Sequence, residues 1–238
     1  MISKIGKWIG VELDAVDWKE KLVSAAGGLI SMLVLVAICR NALHLNGSAM
    51  LIASMGASAV LLFAVPHGQL SQPWPVIAGH VFSAAIGVGC ARFIPDIPLA
   101  AGCAVGLAIG TMHVLKCIHP PGGATALTAV IGGANVKALG FSFVWSPVAL
   151  NALTMVTVAV AFNYIFKWRR YPAYFNHPEK PPGGKPEISH ETVVAALRSL
   201  DSFVDITEDD LLRLHDILSG SEKQAAATGR KKSLSETR

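Results

Sequence analysis

The sequence predicts an all-α, polytopic helical membrane protein with four full spans plus two shorter or re-entrant segments. Three observations carry this. First, the 238 residues are 52% hydrophobic and 15% charged, with a mean hydropathy of +0.49, whereas a soluble domain carries about a quarter charged residues. Second, the charges are segregated: between positions 22 and 166 the charged side chains are Arg40, Arg92, Asp96, Lys116 and Lys137, and the rest crowd the two ends. Third, that stretch divides into apolar runs of membrane-crossing length, separated by Pro, Gly and Arg.

Residues 1–20 form an N-terminal amphipathic surface segment. Ile2, Ile5, Ile9, Leu13 and Val16 recur at helical spacing, Lys4, Lys7, Asp14 and Asp17 fall elsewhere on the wheel, and Trp8 and Trp18 suit a membrane interface. The first apolar run is long and has no small-residue cleavage site, so a cleaved leader is not expected. The membrane domain occupies 21–170. Its full spans are expected at 22–43, 74–94, 97–115 and 144–166. Residues 47–65 are a further candidate, and 122–133 is apolar but too short to cross the roughly 20-residue requirement unless its ends are buried in protein.

An internal repeat organises these segments. GASAVLLFAV at 56–65 resembles GATALTAVIG at 123–132, and each is followed by a Trp-Pro-Val signature, WPVIAGHVF from Trp74 and WSPVALNAL from Trp145. This alignment sets Ser58 against Thr125 and Gly56 against Gly123. The chain therefore also reads as six spans in a 3+3 repeat, the units being inverted if every segment crosses and parallel if the middle one is re-entrant. Lys19 and Lys21 before the first span and Lys167, Arg169 and Arg170 after the last put both termini in the cytoplasm, the membrane being the cell's inner (plasma) membrane.

Past the membrane domain, 171–187 is a Pro/Gly linker, 188–218 a small cytoplasmic helical pair with Thr207 as a cap, and 219–238 a disordered tail. The four cysteines lie in apolar surroundings and form no Cys-x-x-Cys pair, so neither a disulfide framework nor a cofactor is expected. The net charge of +4 comes from the ends and suits anionic lipid headgroups, not nucleic acid. Homo-oligomerisation stays open. No nucleophile motif suggests an enzyme.

The stretch KCIHPPGGATALTAV, positions 116–130, carries the functional signal. Pro120 holds His119 extended, and Pro121 fits the first turn of a following helix. Gly122 and Gly123 would then present amides with no Cβ in the way, at a helix start that favours an anion. His119 and Thr125 would add donors, Lys116 a positive charge, and His119 a protonatable group near neutral pH. Ser54, Gly56 and Ser58 in the first repeat would form the opposing wall. Against this stands an ordinary interfacial turn, with Ser54, Ser58 and Thr125 as packing residues. His80, His113 and Asn151 within spans are either satisfied core groups or pathway residues. A metal site at His113, Cys117 and His119 is poor because Lys116 would repel the ion.

HPPGGATAL, together with MGASAVLLFAVPHGQLSQPWPVIAGH upstream, resembles the two signature blocks of the HPP family of integral membrane proteins. The likeness covers roughly 21–170. Residues 193–218 resemble the segment C-terminal to the membrane domain in members that continue into CBS regulatory domains. The resemblance implies a four-span membrane domain, a site at His119, Pro120, Pro121, Gly122 and Gly123, and, from plastid and cyanobacterial members, nitrite transport. The function expected is a permease or channel for a small monovalent anion, nitrite first. The alternative is a non-transporting anchor or sensor that presents the C-terminal helices to a partner.

Overall fold

The structure is a computed structural model and describes residues 17–42 and 53–175. The C-terminal helical pair at 188–218, the tail at 219–238, nearly all of the surface segment and most of the linker lie outside the described residues. Those described form helices and no strand: α1 (Trp18–Ala42), α2 (Ser54–Ala64), α3 (Pro73–Phe93), α4 (Ile97–Val114), α5 (Pro120–Ile131), α6 (Gly133–Leu139) and α7 (Leu150–Tyr164), the last preceded by a bent turn, Val144–Ala149, that contains Pro147. The four expected full spans are present. Trp18–Arg40, Pro73–Phe93, Ile97–Val114 and Val144–Tyr164 are each long and apolar enough to cross a bilayer.

Two helices are short. α2 has 11 residues and α5 has 12, so they run about 16 and 18 Å, roughly half of a 30 Å hydrocarbon core. The candidate at 47–65 is thus a half-length helix from Ser54 onward, and the short apolar run after Gly122 is a helix that starts earlier, at Pro120. Proline placement sets the starts: Pro73 and Pro75 open α3, Pro98 follows the Asp96 cap of α4, and Pro120 and Pro121 open α5. Asp96 Oδ1 accepts from the Leu99 amide at 2.9 Å.

Hydrogen bonds fix the direction of each element. One end of the bundle holds the start of α1 and the residues after α7, where Arg169 pairs with Glu20. It also holds the end of α2, since Arg169 donates to Phe63 O and Asn163 to Leu62 O, and the start of α3, since Tyr171 Oη donates to Ser71 O. The end of α4 lies there too, with Trp74 Nε1 donating to Leu115 O. Hence α1 and α3 run away from this end while α2, α4 and α7 run towards it. α5 runs parallel to α3: Gly122 sits against Gly79 and Ser83, and Ala126 and Ala129 against Gly87. Directions alternate from α1 to α5, with α7 returning, so α1–α2–α3 and α4–α5–α7 run in opposite senses. This is the inverted order of a 3+3 arrangement, built from four full spans and two half-length helices.

Small residues face inward and large apolar ones face outward. α1 buries Gly27, Ser31, Leu35 and Cys39 at every fourth position, and α4 does the same with Ala100, Ala104, Ala108 and Met112. Leu29, Leu33, Leu99, Leu107 and Leu153 are exposed. Close backbone approach through small residues, with a lipid-facing apolar surface, is how helices associate where no hydrophobic drive separates core from solvent.

Arg169 ties three elements together. Its guanidinium is buried and donates to Glu20, Ser24 Oγ, Phe63 O and Asn163 Oδ1. Phe63 O is one of the carbonyls left open at the C-terminus of α2, where a cation is favoured. Burial pushes the guanidinium below its ordinary range and the Glu20 carboxylate raises it again.

Two outcomes are expected in thermal unfolding of purified, detergent-solubilised protein. At Gly87 a Cβ would lie 2.4 Å from Ala126 O, backbone that cannot swing aside, whereas Gly89 faces open space; Gly87→Ala should therefore cost about 1–3 kcal/mol and Gly89→Ala should not lower Tm. Arg169→Met should cost roughly 3 kcal/mol, the low end for breaking a buried pair because Glu20 is 24% exposed. Adding Glu20→Gln should recover part of that loss by neutralising the stranded carboxylate, and no recovery would contradict the pairing.

Candidate functional site

The first turns of α2 and α5 lie antiparallel and meet in a buried polar cluster. Ser54 Oγ is 2.8 Å from Thr125 Oγ1, and Ser58 Oγ is 2.9 Å from His119 Nε2. α3 supplies His80, whose ring stands between the two half-length helices: its Nε2 is 2.8 Å from Ser58 Oγ and its Nδ1 is 2.7 Å from Thr125 Oγ1. The imidazoles of His80 and His119 meet edge to face with centroids 4.9 Å apart. His119 Nδ1 donates to Leu70 O at 2.9 Å, on the short turn before α3. All five polar side chains are at most 3% exposed. The aligned repeat residues Ser58 and Thr125 thus bond opposite nitrogens of one histidine ring.

Four of the residues expected at the site, Ser54, Ser58, His119 and Thr125, converge here. The others do different work. Pro120 and Pro121 shape the start of α5 by occupying its first two positions, and in doing so they delete two of the amides that a helix start leaves open. The third, Gly122 N–H, donates to His119 O at 2.8 Å. The expectation of a bare amide at Gly122 is therefore corrected. Gly122 is needed for packing: a Cβ there would lie 2.8 Å from Gly79 O and 2.9 Å from Ser83 Oγ. Gly79 faces the same constraint, with His119 Cβ at 2.8 Å. Gly123 and Gly56 have open space around them and stand outside the cluster. Gly123 lines a cavity of about 540 Å³ with Met112, Ile118, Pro120 and Leu127.

Lys116 is also turned away. α4 ends at Val114 with Cys117 N–H donating to Met112 O and Lys116 N–H to His113 O, and Lys116 takes φ +52°. This is a Schellman ending with lysine in the left-handed position. The side chain is exposed and lines an open cavity of about 310 Å³ with Gln69, Leu70, Pro75, His113 and Ile118. That cavity adjoins the cluster through Leu70. His113 is exposed and His119 buried, and among the described residues no three His, Cys, Asp or Glu side chains gather as a metal site.

Ser83 was not signalled by the sequence. It is fully buried on α3, one turn from His80, and its Oγ has no hydrogen-bond partner. Buried polar atoms are nearly always partnered, and this hydroxyl stands out among the described residues as an unpartnered donor packed beside Gly122.

Residues 13–172 match the family model of the HPP transmembrane region. A transmembrane protein of Dictyostelium discoideum is 37% identical over 180 residues, covering 73% of this chain and 58% of its own length. A second transmembrane protein of that organism is 34% identical over 188 residues, covering 74% of this chain and 64% of its own. The chain therefore spans about three fifths of the length of these curated relatives. No solved structure matches it.

Ser58→Ala should strand His80 Nε2 and His119 Nε2 together, costing about 1–3 kcal/mol for each unpartnered group. Thr157→Ala, on an exposed face of α7, should stay within about 0.5 kcal/mol. Thermal unfolding of the two variants side by side checks this, and equal stabilities would show that the cluster is not a bonded unit.

Proposed function

The chain belongs to the HPP transmembrane-region family, and from that premise we propose that it is a permease or channel for a small monovalent anion. Nitrite is the first substrate to test, because the family resemblance drawn from the HPPGG and MGASA blocks points to it. The observation that supports transport is the pair of antiparallel half-length helices whose first turns meet at a buried polar cluster inside an otherwise apolar bundle. Broken spans of this kind build substrate sites in inverted-repeat transporters. Buried polar groups at membrane depth are costly, which favours a functional reason for keeping them.

The anion preference comes from donors and dipoles. Both half-length helices point their positive ends at the cluster. Ser83 Oγ–H is available as a donor beside Gly122, next to the cluster that His119, Thr125, Ser54 and Ser58 form. Lys116 and His113 at the open cavity beyond Leu70 would draw an anion towards it. No bond-making chemistry is assigned to the site. The positive residues flanking the membrane domain favour cytoplasmic termini in the inner membrane.

Flux of nitrite, nitrate and chloride into proteoliposomes tests the reading. Wild type should take up at least one of them, nitrite expected, while His119→Ala and Ser83→Ala should each lose most of that uptake and Gly106→Ala, on the open face of α4, should keep it. No uptake of any small monovalent anion by wild type would leave the anchor reading in its place.

A further inference from the structure

The hydrogen bonds of the cluster have one direction, and a single carbonyl sets it. Leu70 O can only accept, so His119 Nδ1 carries its proton. In a neutral imidazole the other nitrogen then accepts, so the Ser58 hydroxyl gives its one proton to His119 Nε2. Ser58 Oγ must accept from His80, which places the His80 proton on Nε2. His80 Nδ1 therefore accepts from the Thr125 hydroxyl, and Thr125 Oγ1 accepts from Ser54. The longer contacts of 3.3 Å from Ser58 to Ser54 O and from Thr125 to Pro121 O are weaker competitors for the same hydroxyl protons. Five successive bonds of 2.7–2.9 Å run from Ser54 to Leu70, every donor pointing the same way.

We propose that Ser54, Thr125, His80, Ser58 and His119 form a one-proton relay, the coupling device of the anion permease proposed above, and it rests on that reading for its role. A proton from water at the Ser54 end bonds to Ser54 Oγ as the Ser54 proton passes to Thr125 and the Thr125 proton to His80 Nδ1. His80 is then the imidazolium, and every hydroxyl is neutral again. The His80 Nε2–H bond next breaks towards Ser58 while the Ser58 proton forms a bond at His119 Nε2, moving the charge to His119. Loss of the His119 Nδ1 proton to water on the Leu70 side completes one proton in and one out. Rotation of the hydroxyls and exchange of tautomers reset the chain. With ring centroids 4.9 Å apart, a charge on one histidine opposes a charge on the other, so the relay carries one proton at a time.

The partners bonded to the rings are hydroxyls and a carbonyl, none of them charged. Of the titratable groups on the elements packed around them, His67 is on the turn after α2, and Cys117 is buried beside Gly79. His113 and Lys116 line the cavity past Leu70, and Arg169 is at the far end of α2. Lys116 and His113 at the exit would favour release of the proton to water over its retention.

The relay is tested on the full chain in nanodiscs with ¹⁵N-labelled histidine. Wild type at neutral pH should show His119 as the Nδ1–H tautomer and His80 as the Nε2–H tautomer, assigned with His80→Gln and His119→Gln. The reverse tautomer at either ring overturns the relay. A second arm measures protons moved per nitrite in proteoliposomes with an entrapped pH dye. Ser58→Ala breaks the chain between the two histidines and should lower that ratio severalfold, and Ser58→Thr, which keeps the hydroxyl, should restore it. An unchanged ratio in Ser58→Ala overturns the relay and leaves the anion reading standing. Absence of nitrite, nitrate and chloride uptake in wild type sinks the anion reading, and the tautomers then decide the relay by themselves.

Discussion

A half-length helix packed inside an apolar bundle must satisfy its end groups with protein, and two of the described helices are of this kind. That constraint organises most of the structure around them. At the C-terminus of α2, Leu61 O accepts from Ser71 Oγ, Leu62 O from Asn163 and Phe63 O from Arg169. Arg169 is buried for this purpose, and Glu20 and Ser24 on α1 are arranged around it. At the opposite end of α2 the first turn meets the first turn of α5, and the two share one set of hydroxyls and imidazoles. The termini of the membrane domain, the short turn before α3 and the histidine cluster are thus consequences of the same demand.

Packing and polarity are separated along α3. Gly79, Ser83 and Gly87 form one stripe and let α5 approach to backbone contact, while His80 is set beside that stripe and reaches between the half-length helices. Bulk at the stripe would move α5 outward and pull Thr125 and His119 off the His80 ring. The dimensions of the site are therefore set largely by Gly79, Gly87 and Gly122, which have no side-chain chemistry, and site geometry and bundle stability depend on the same few glycines.

Much of the architecture was legible in the sequence because charge is so scarce between positions 22 and 166 that apolar runs can be counted directly. The half-length α5 was legible too, since a Pro-Pro-Gly-Gly start so close to Gly132 leaves room for only three turns, whereas nothing in 47–65 marked where α2 would start. Ser58 and Thr125 emerged from the aligned repeat, and their shared partner did not. His80 is distant from both in sequence, and nothing in its local pattern tells a ring wedged between two helices from a histidine satisfied within its own. Lys116 misled because it stands only three residues before His119, whereas α4 closes in a Schellman ending that swings the lysine outward. The glycines misled in another way. A bare Cα suits an open amide and a close helix contact equally well, and only the position of Gly79 and Ser83 across from Gly122 decides between them.

The two prolines at the start of α5 have an electrical consequence. A helix start ordinarily attracts an anion and also grips it through free N–H groups. Here Pro120 and Pro121 have no hydrogen to offer and Gly122 has spent its own on His119 O. The positive charge of a helix start resides on such N–H groups, so α5 begins with a weakened positive end, and the side chains around it set more of the local field than its backbone does.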